Sequence, residues 1–107
     1  MKTLKFRKHL AELIKIGKKS ATWRLFDDKN LSVGDEVNFV VWKTGEEFAH
    51  VKITFVKETS LGNLMEEDWE GHERFDSDYV MYKTYEKYYN CSVDADSPVK
   101  IIKFELL

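Results

Sequence analysis

Gly17-Lys18-Lys19-Ser20-Ala21-Thr22-Trp23-Arg24 is the stretch that fixes how this chain folds. On its N-terminal side Leu10, Leu13 and Ile14 fall at helical spacing with Phe6 one turn earlier, which predicts a helix from about Phe6 to Ile16, while Leu4 and Phe6 either begin a short strand or pack as an entry segment. Gly17 then stands where a left-handed residue ends a helix at no steric cost. From Ser20 to Phe26 the pattern alternates and predicts a strand, with Ser20, Thr22 and Arg24 on one face and Ala21, Trp23 and Leu25 on the other. The polar set is thereby gathered on one side, and Trp23 anchors the opposite side in a core.

Outward from this stretch, Asp27 to Asn30 reads as a turn, and Leu31 to Val37 as a second turn feeding a strand, with Gly34-Asp35 as its signal. Asn38 to Lys43 and Glu47 to Lys57 form a hairpin about Thr44-Gly45-Glu46. Asn63 is placed to cap a short acidic helix containing Leu64, Met65 and Trp69, and Gly71 to Phe75 interrupts it. Asp76 or Ser77 caps a further helix to about Tyr89, and Pro98 opens a last strand through Val99, Ile101, Phe104 and Leu106. Strands and helices do not alternate regularly, which argues against a doubly wound sheet. The expectation is one α+β domain over residues 1–107. It is a small, mostly antiparallel β-barrel of five to six strands with three helices around it.

Composition narrows the function. The 107 residues are 43% hydrophobic and 34% charged, as in an ordinary globular domain. The net charge of −2 hides an asymmetry: residues 1–24 carry eight Lys/Arg and one acid, net +7, whereas residues 25–107 carry nine Lys/Arg and eighteen acids, net −9. A basic quarter on an acidic body points to a local anion site rather than a surface made for long nucleic acid. No apolar run approaches the ~20 residues of a membrane span, and the N-terminus lacks the apolar segment of a secretory signal. Cys91 is alone, so no internal disulfide is expected, which suits a reducing cytoplasm. His9, His50 and His72 lie far apart, with no metal-ligand spacing, glycine-rich phosphate loop or Gly-x-Ser-x-Gly elbow. Neither metal nor cofactor is expected.

Read as chemistry, the opening stretch offers a hydroxyl at Thr22, a lysine three residues before it and an arginine two after. A threonine attacks only when a base takes its proton, and a lysine serves when burial or nearby cations lower its pKa. Lys18 and Arg24 are the nearby cations. A carboxylate is then needed to orient the lysine or pass the proton on. Arg24 is equally suited to hold a phosphate, a carboxylate or an oxyanion. Tyr82, Tyr85 and Tyr89 share a helix face that either packs on the barrel or stacks on a base. Trp23 and Trp69 read as core anchors, and Trp42, out of step with its strand, as a cleft wall.

Gly17-x-Lys19-x-x-x-x-Arg24 resembles the signature of the ASCH domain family of the PUA-like superfamily. Leu31 to Val37 is similar to that family's second landmark, Gly71-His72-Glu73 before a Tyr-rich helix to its third, and the closing strand also fits. The resemblance implies a PUA-like barrel whose cleft is lined by the signature residues, including Gly17, Lys18 and Arg24 as substrate-binding groups. It implies a nucleoside or RNA, single-stranded or modified, as partner; no membrane association is expected, and of the oligomeric states, which the sequence leaves open, a monomer is favoured. Small stand-alone members resemble amidohydrolases that deacetylate 4-acetylcytidine with a lysine, a threonine three residues later and a downstream glutamate. Here these are Lys19, Thr22 and Glu73, with Glu70 as the competing carboxylate. The alternatives are a noncatalytic RNA-binding module and a ribonuclease using the same cleft.

Overall fold

A computed structural model describes all residues, Met1–Leu107. The elements follow as β1 (Lys2–Phe6), α1 (Lys8–Lys15), β2 (Ala21–Arg24), β3 (Glu36–Val41), β4 (Glu47–Ser60), α2 (Asp78–Tyr89) and β5 (Pro98–Leu106). Two single turns of 3-10 helix, Leu61–Asn63 and Glu66–Trp69, lie between β4 and α2. The five strands form one sheet in the order β1-β3-β4-β5-β2. The β1–β3 pair is parallel and the other three pairs are antiparallel.

The small α+β barrel expected from the sequence is a curled half-barrel of five strands, mostly antiparallel with one parallel pair. The two edge strands, β1 and β2, do not pair with each other. The curl comes from β4, whose 14 residues pair with β3 along their first half and with β5 along their second. Its register slips between Ile53 and Phe55, and such a bulge bends and twists the strand that carries it.

Two expected boundaries move. Phe6 is not the first turn of α1 but the last residue of β1, because Lys2–Phe6 finds a parallel partner in Val37–Val41. The expected acidic helix after Asn63 is a single 3-10 turn, Glu66–Trp69, so there are two α-helices rather than three. Asp68 accounts for this turn: it is buried, accepts from Met65 N at 2.8 Å, and pairs with Lys57 at 3.0 Å. The carboxylate tightens a single turn instead of leaving its N–H groups to a longer ladder. The helix from Ser77 is as expected: Ser77 Oγ accepts from Val80 N at 3.2 Å, and left-handed Asn90 ends it.

β5 shows how the core is divided. Ile102 and Phe104 face the cluster built on Leu4, Phe6, Leu10, Ile14 and Phe39, beneath α1. Val99 and Ile101 face the other cluster with Trp23, Leu25, Met81 and Tyr85, beneath α2. Each helix therefore covers one face of the sheet, and β5 is buried on both. Neither helix is long and apolar enough to cross a membrane.

Candidate active site

The unpaired seam between β1 and β2 is where the site lies. A cleft of about 170 Å³ opens there. Lys5, Phe6 and Arg7 contribute from one edge, and Thr22, Trp23 and Arg24 from the other. Tyr85, Tyr88 and Tyr89 of α2, with Trp42 at the end of β3, complete the walls, and Lys19, His72 and Glu73 form the floor.

Lys19 enters this cleft because of how α1 ends. Gly17 adopts φ +80°, and the N–H groups of Lys18 and Lys19 both donate to Leu13 O, at 2.9 and 3.2 Å. The chain reverses, leaving Lys18 exposed and turning Lys19 inward to 2% exposure. Glu73, 54 residues later, is brought to it by the backbone. Ser20 N and Ala21 N both donate to Gly71 O, at 2.8 and 3.1 Å, which pins the loop against the start of β2. Lys19 Nζ then makes an ion pair with the Glu73 carboxylate.

This pinning makes Gly71 a sensitive position. Its φ is +79°, and a β-carbon there would collide with Ser20 Oγ. Gly71→Ala is expected to destabilise the fold by about 2–4 kcal/mol, from the left-handed backbone and the collision together. A fall in the urea midpoint with an unchanged denaturant slope checks it.

The two members of the ion pair differ in depth, and their titration follows. The Lys19 side chain is sealed, so burial lowers its pKa below the ordinary lysine value more than Glu73 raises it, and Arg24 adds repulsion. The Glu73 side chain keeps 21% exposure. Burial pushes its carboxyl up, but the charge of Lys19 and the hydrogen bonds outweigh this and hold it below the ordinary value. The result is a lysine that gives up its proton more readily than an exposed one, beside a carboxylate that holds its charge to lower pH than an exposed one.

His72 braces the pair. Its Nδ1 lies 2.8 Å from Glu73 O, and because a carbonyl only accepts, that nitrogen carries the hydrogen. Nε2 is then free to accept from Tyr85 OH at 3.3 Å. The ring stacks on Trp23 with centroids 3.8 Å apart and planes 14° from parallel. Burial, followed by the charge of Lys19, lowers its pKa from 6.5 to about 3, so it is neutral. Burial also raises Tyr85 well above the ordinary tyrosine value, with Glu73 adding to the effect.

The residues expected to act are not all together. Lys19 and Glu73 are in contact. Thr22, 4% exposed, lines the same cleft, although its hydroxyl makes no hydrogen bond to Lys19, which gives its own to Glu73. Arg24 is half-buried on the cleft wall, its guanidinium carbon 5.7 Å from the Phe6 ring centroid. Gly17 and Lys18 are exposed and lie outside the cleft, where Gly17 shapes the turn. The Glu70 side chain is 77% exposed and points to Lys103 at 3.7 Å, away from Lys19. Trp42 lines the cleft, and Arg7 covers its face at 3.9 Å.

Lys5, Arg7 and Tyr88 are cleft residues that the sequence pattern did not single out. Reading β1 as a strand through Phe6 would have brought Lys5 and Arg7 to the seam. The step from Tyr85 to Tyr88, one helical turn, is the signal for the latter.

No protein-family model and no curated protein matches the chain. Solved structures do match it over nearly its whole length. The ASCH domain from Lactobacillus crispatus JV V101 superposes with a TM-score of 0.68 at 16% identity, covering 98% of this chain and 79% of that one. The ASCH protein from Zymomonas mobilis gives 0.68 at 9% identity, over 96% of this chain and 65% of that longer one. A hypothetical protein, PH0355, gives 0.75 at 26% identity, over 100% of both chains. The chain has the fold of the ASCH domains.

Proposed function

We propose that this protein is a small hydrolase acting on a modified nucleoside, deacetylating 4-acetylcytidine through Thr22, Lys19 and Glu73. The observation that carries the reading is the buried Lys19–Glu73 ion pair at the floor of a cleft whose wall presents Thr22. The ASCH-type signature and fold support it.

In this mechanism Lys19, once neutral, accepts the Thr22 proton as Oγ1 bonds to the acetyl carbon. The carbon–N4 bond breaks as Lys19, oriented by Glu73, returns that proton to the departing amine. Water then cleaves the threonyl ester, restoring the hydroxyl and releasing acetate.

Incubating the protein with 4-acetylcytidine and following cytidine and acetate tests the reading, which is abandoned if neither forms. Turnover requires neutral Lys19, so kcat/KM rises with pH. Because burial lowers the Lys19 pKa, the profile levels off below the ordinary lysine range. A profile still climbing at the ordinary lysine pKa removes Lys19 as the base.

A second reading, a noncatalytic RNA-binding module, is favoured by the exposed Trp42 beside Arg7. Salt separates the two: RNA affinity falls steeply with ionic strength, and hydrolysis of a neutral nucleoside does not.

A further inference from the structure

The cleft holds more positive charge than a neutral nucleoside calls for. Lys5, Arg7, Lys19 and Arg24 line it, against one anion, Glu73, which Lys19 already engages. His72 is neutral and adds nothing. Three cations thus converge without an acidic partner on a protein whose net charge is −2. Elsewhere on the surface Lys2, Lys57, Arg74 and Lys100 each hold a carboxylate.

Arg24 is the most telling of the three. It is half-buried on the cleft wall and makes no side-chain hydrogen bond, and none of its nitrogens is sealed from solvent. Arg7 lines the same cleft, its guanidinium carbon 5.1 Å from the Tyr88 ring centroid. A partly desolvated guanidinium with free donors suits a planar or tetrahedral oxyanion. Trp42, 46% exposed beside Arg7, supplies a face for a base.

We propose that Lys5, Arg7 and Arg24 form a phosphate site at the mouth of the cleft, so that the ligand is a phosphorylated nucleotide rather than a free nucleoside. This rests on the nucleoside reading for the base and adds the phosphate. A single nucleotide fits better than a long strand: the cleft is small, and residues 25–107 carry net −9, which repels an extended polyanion.

Calorimetric titration at low salt with cytidine, cytidine 5′-monophosphate, inorganic phosphate and a short oligocytidylate tests it. The monophosphate is expected to bind about tenfold tighter than cytidine or more. Arg7→Gln and Arg24→Gln each shrink that ratio, and Lys52→Gln, exposed on β4 away from the cleft, does not. Equal affinity for cytidine and its monophosphate overturns the phosphate site and leaves the nucleoside reading standing. Phosphate binding without any contribution from cytidine does the reverse. No binding by any probe sinks both, and an oligocytidylate that binds far tighter with a steep salt dependence overturns the mononucleotide assignment.

Discussion

If the protein deacetylates 4-acetylcytidine as proposed, Glu73→Gln is expected to lower kcat/KM by about a thousandfold, roughly 4 kcal/mol of transition-state stabilisation, and to move the rise of the pH profile to lower pH. Glutamine keeps the shape and the capacity to accept from Lys19 Nζ, but it carries no charge. Lys19 is then a cation with a 1% exposed side chain and no counter-ion, which is costly enough that it sheds its proton. The sign follows from the forces on Lys19: Glu73 raises its pKa by charge and by hydrogen bonding, and burial lowers it. Removing Glu73 leaves burial and Arg24, both of which lower it. The variant thus has its base free but nothing to hold the proton in place for the departing amine. Lys19→Met and Thr22→Val are expected to lose at least as much, and Lys19→Met/Glu73→Gln no more than the worse single variant, since the residues act as a unit. A wild-type pH profile in Glu73→Gln, with only a lower melting temperature, would reduce Glu73 to a structural support.

Why the sequence showed Lys19 and Thr22 but left the carboxylate open between Glu73 and Glu70 has a physical cause. Lys19 and Thr22 are placed by local rules: a left-handed glycine turns the chain, and strand alternation then sets which side chains face together. Glu73 is placed by Gly71 O accepting from Ser20 N and Ala21 N, contacts across half the chain that no periodicity announces. The same division runs through the fold. α2 and β5 carry their own caps and alternation, and both lie where the sequence places them. β1 stays open in the sequence between a short strand and an entry segment to the helix, because two apolar residues at i and i+2 fit both, and only the parallel partner β3 settles the matter. The open seam is equally non-local: it depends on how far β4 curls before β1 and β2 would meet. Arg7 and Lys5 became cleft residues through that geometry alone.

Acid is expected to unfold this protein earlier than its carboxylates alone would dictate. The unfolded chain takes a proton on His72 near pH 6.5, whereas the folded protein resists until about pH 3. Between those values the unfolded state binds more protons, so stability is present above pH 6.5 and is lost as pH falls. The slope approaches 1.4 kcal/mol per pH unit, or about 2 kcal/mol between pH 6.5 and 5. Glu73 works in the same direction but lower: its folded pKa lies below the ordinary carboxylate value, so its contribution is lost as pH falls toward and through that depressed value. The upper part of the window therefore isolates His72. Urea unfolding followed by tryptophan fluorescence from pH 7 to 4.5 should show the slope in the wild type and a flatter line in His72→Gln, whose side chain does not titrate. Identical slopes in the two proteins would mean that His72 takes up its proton without cost. Protonation also acts on the site directly. An imidazolium has no acceptor for Tyr85 OH and stands against the Lys19 ammonium. In the folded protein this happens only as pH nears about 3, where the loop that carries Glu73 loses its brace, below the range in which stability is first lost.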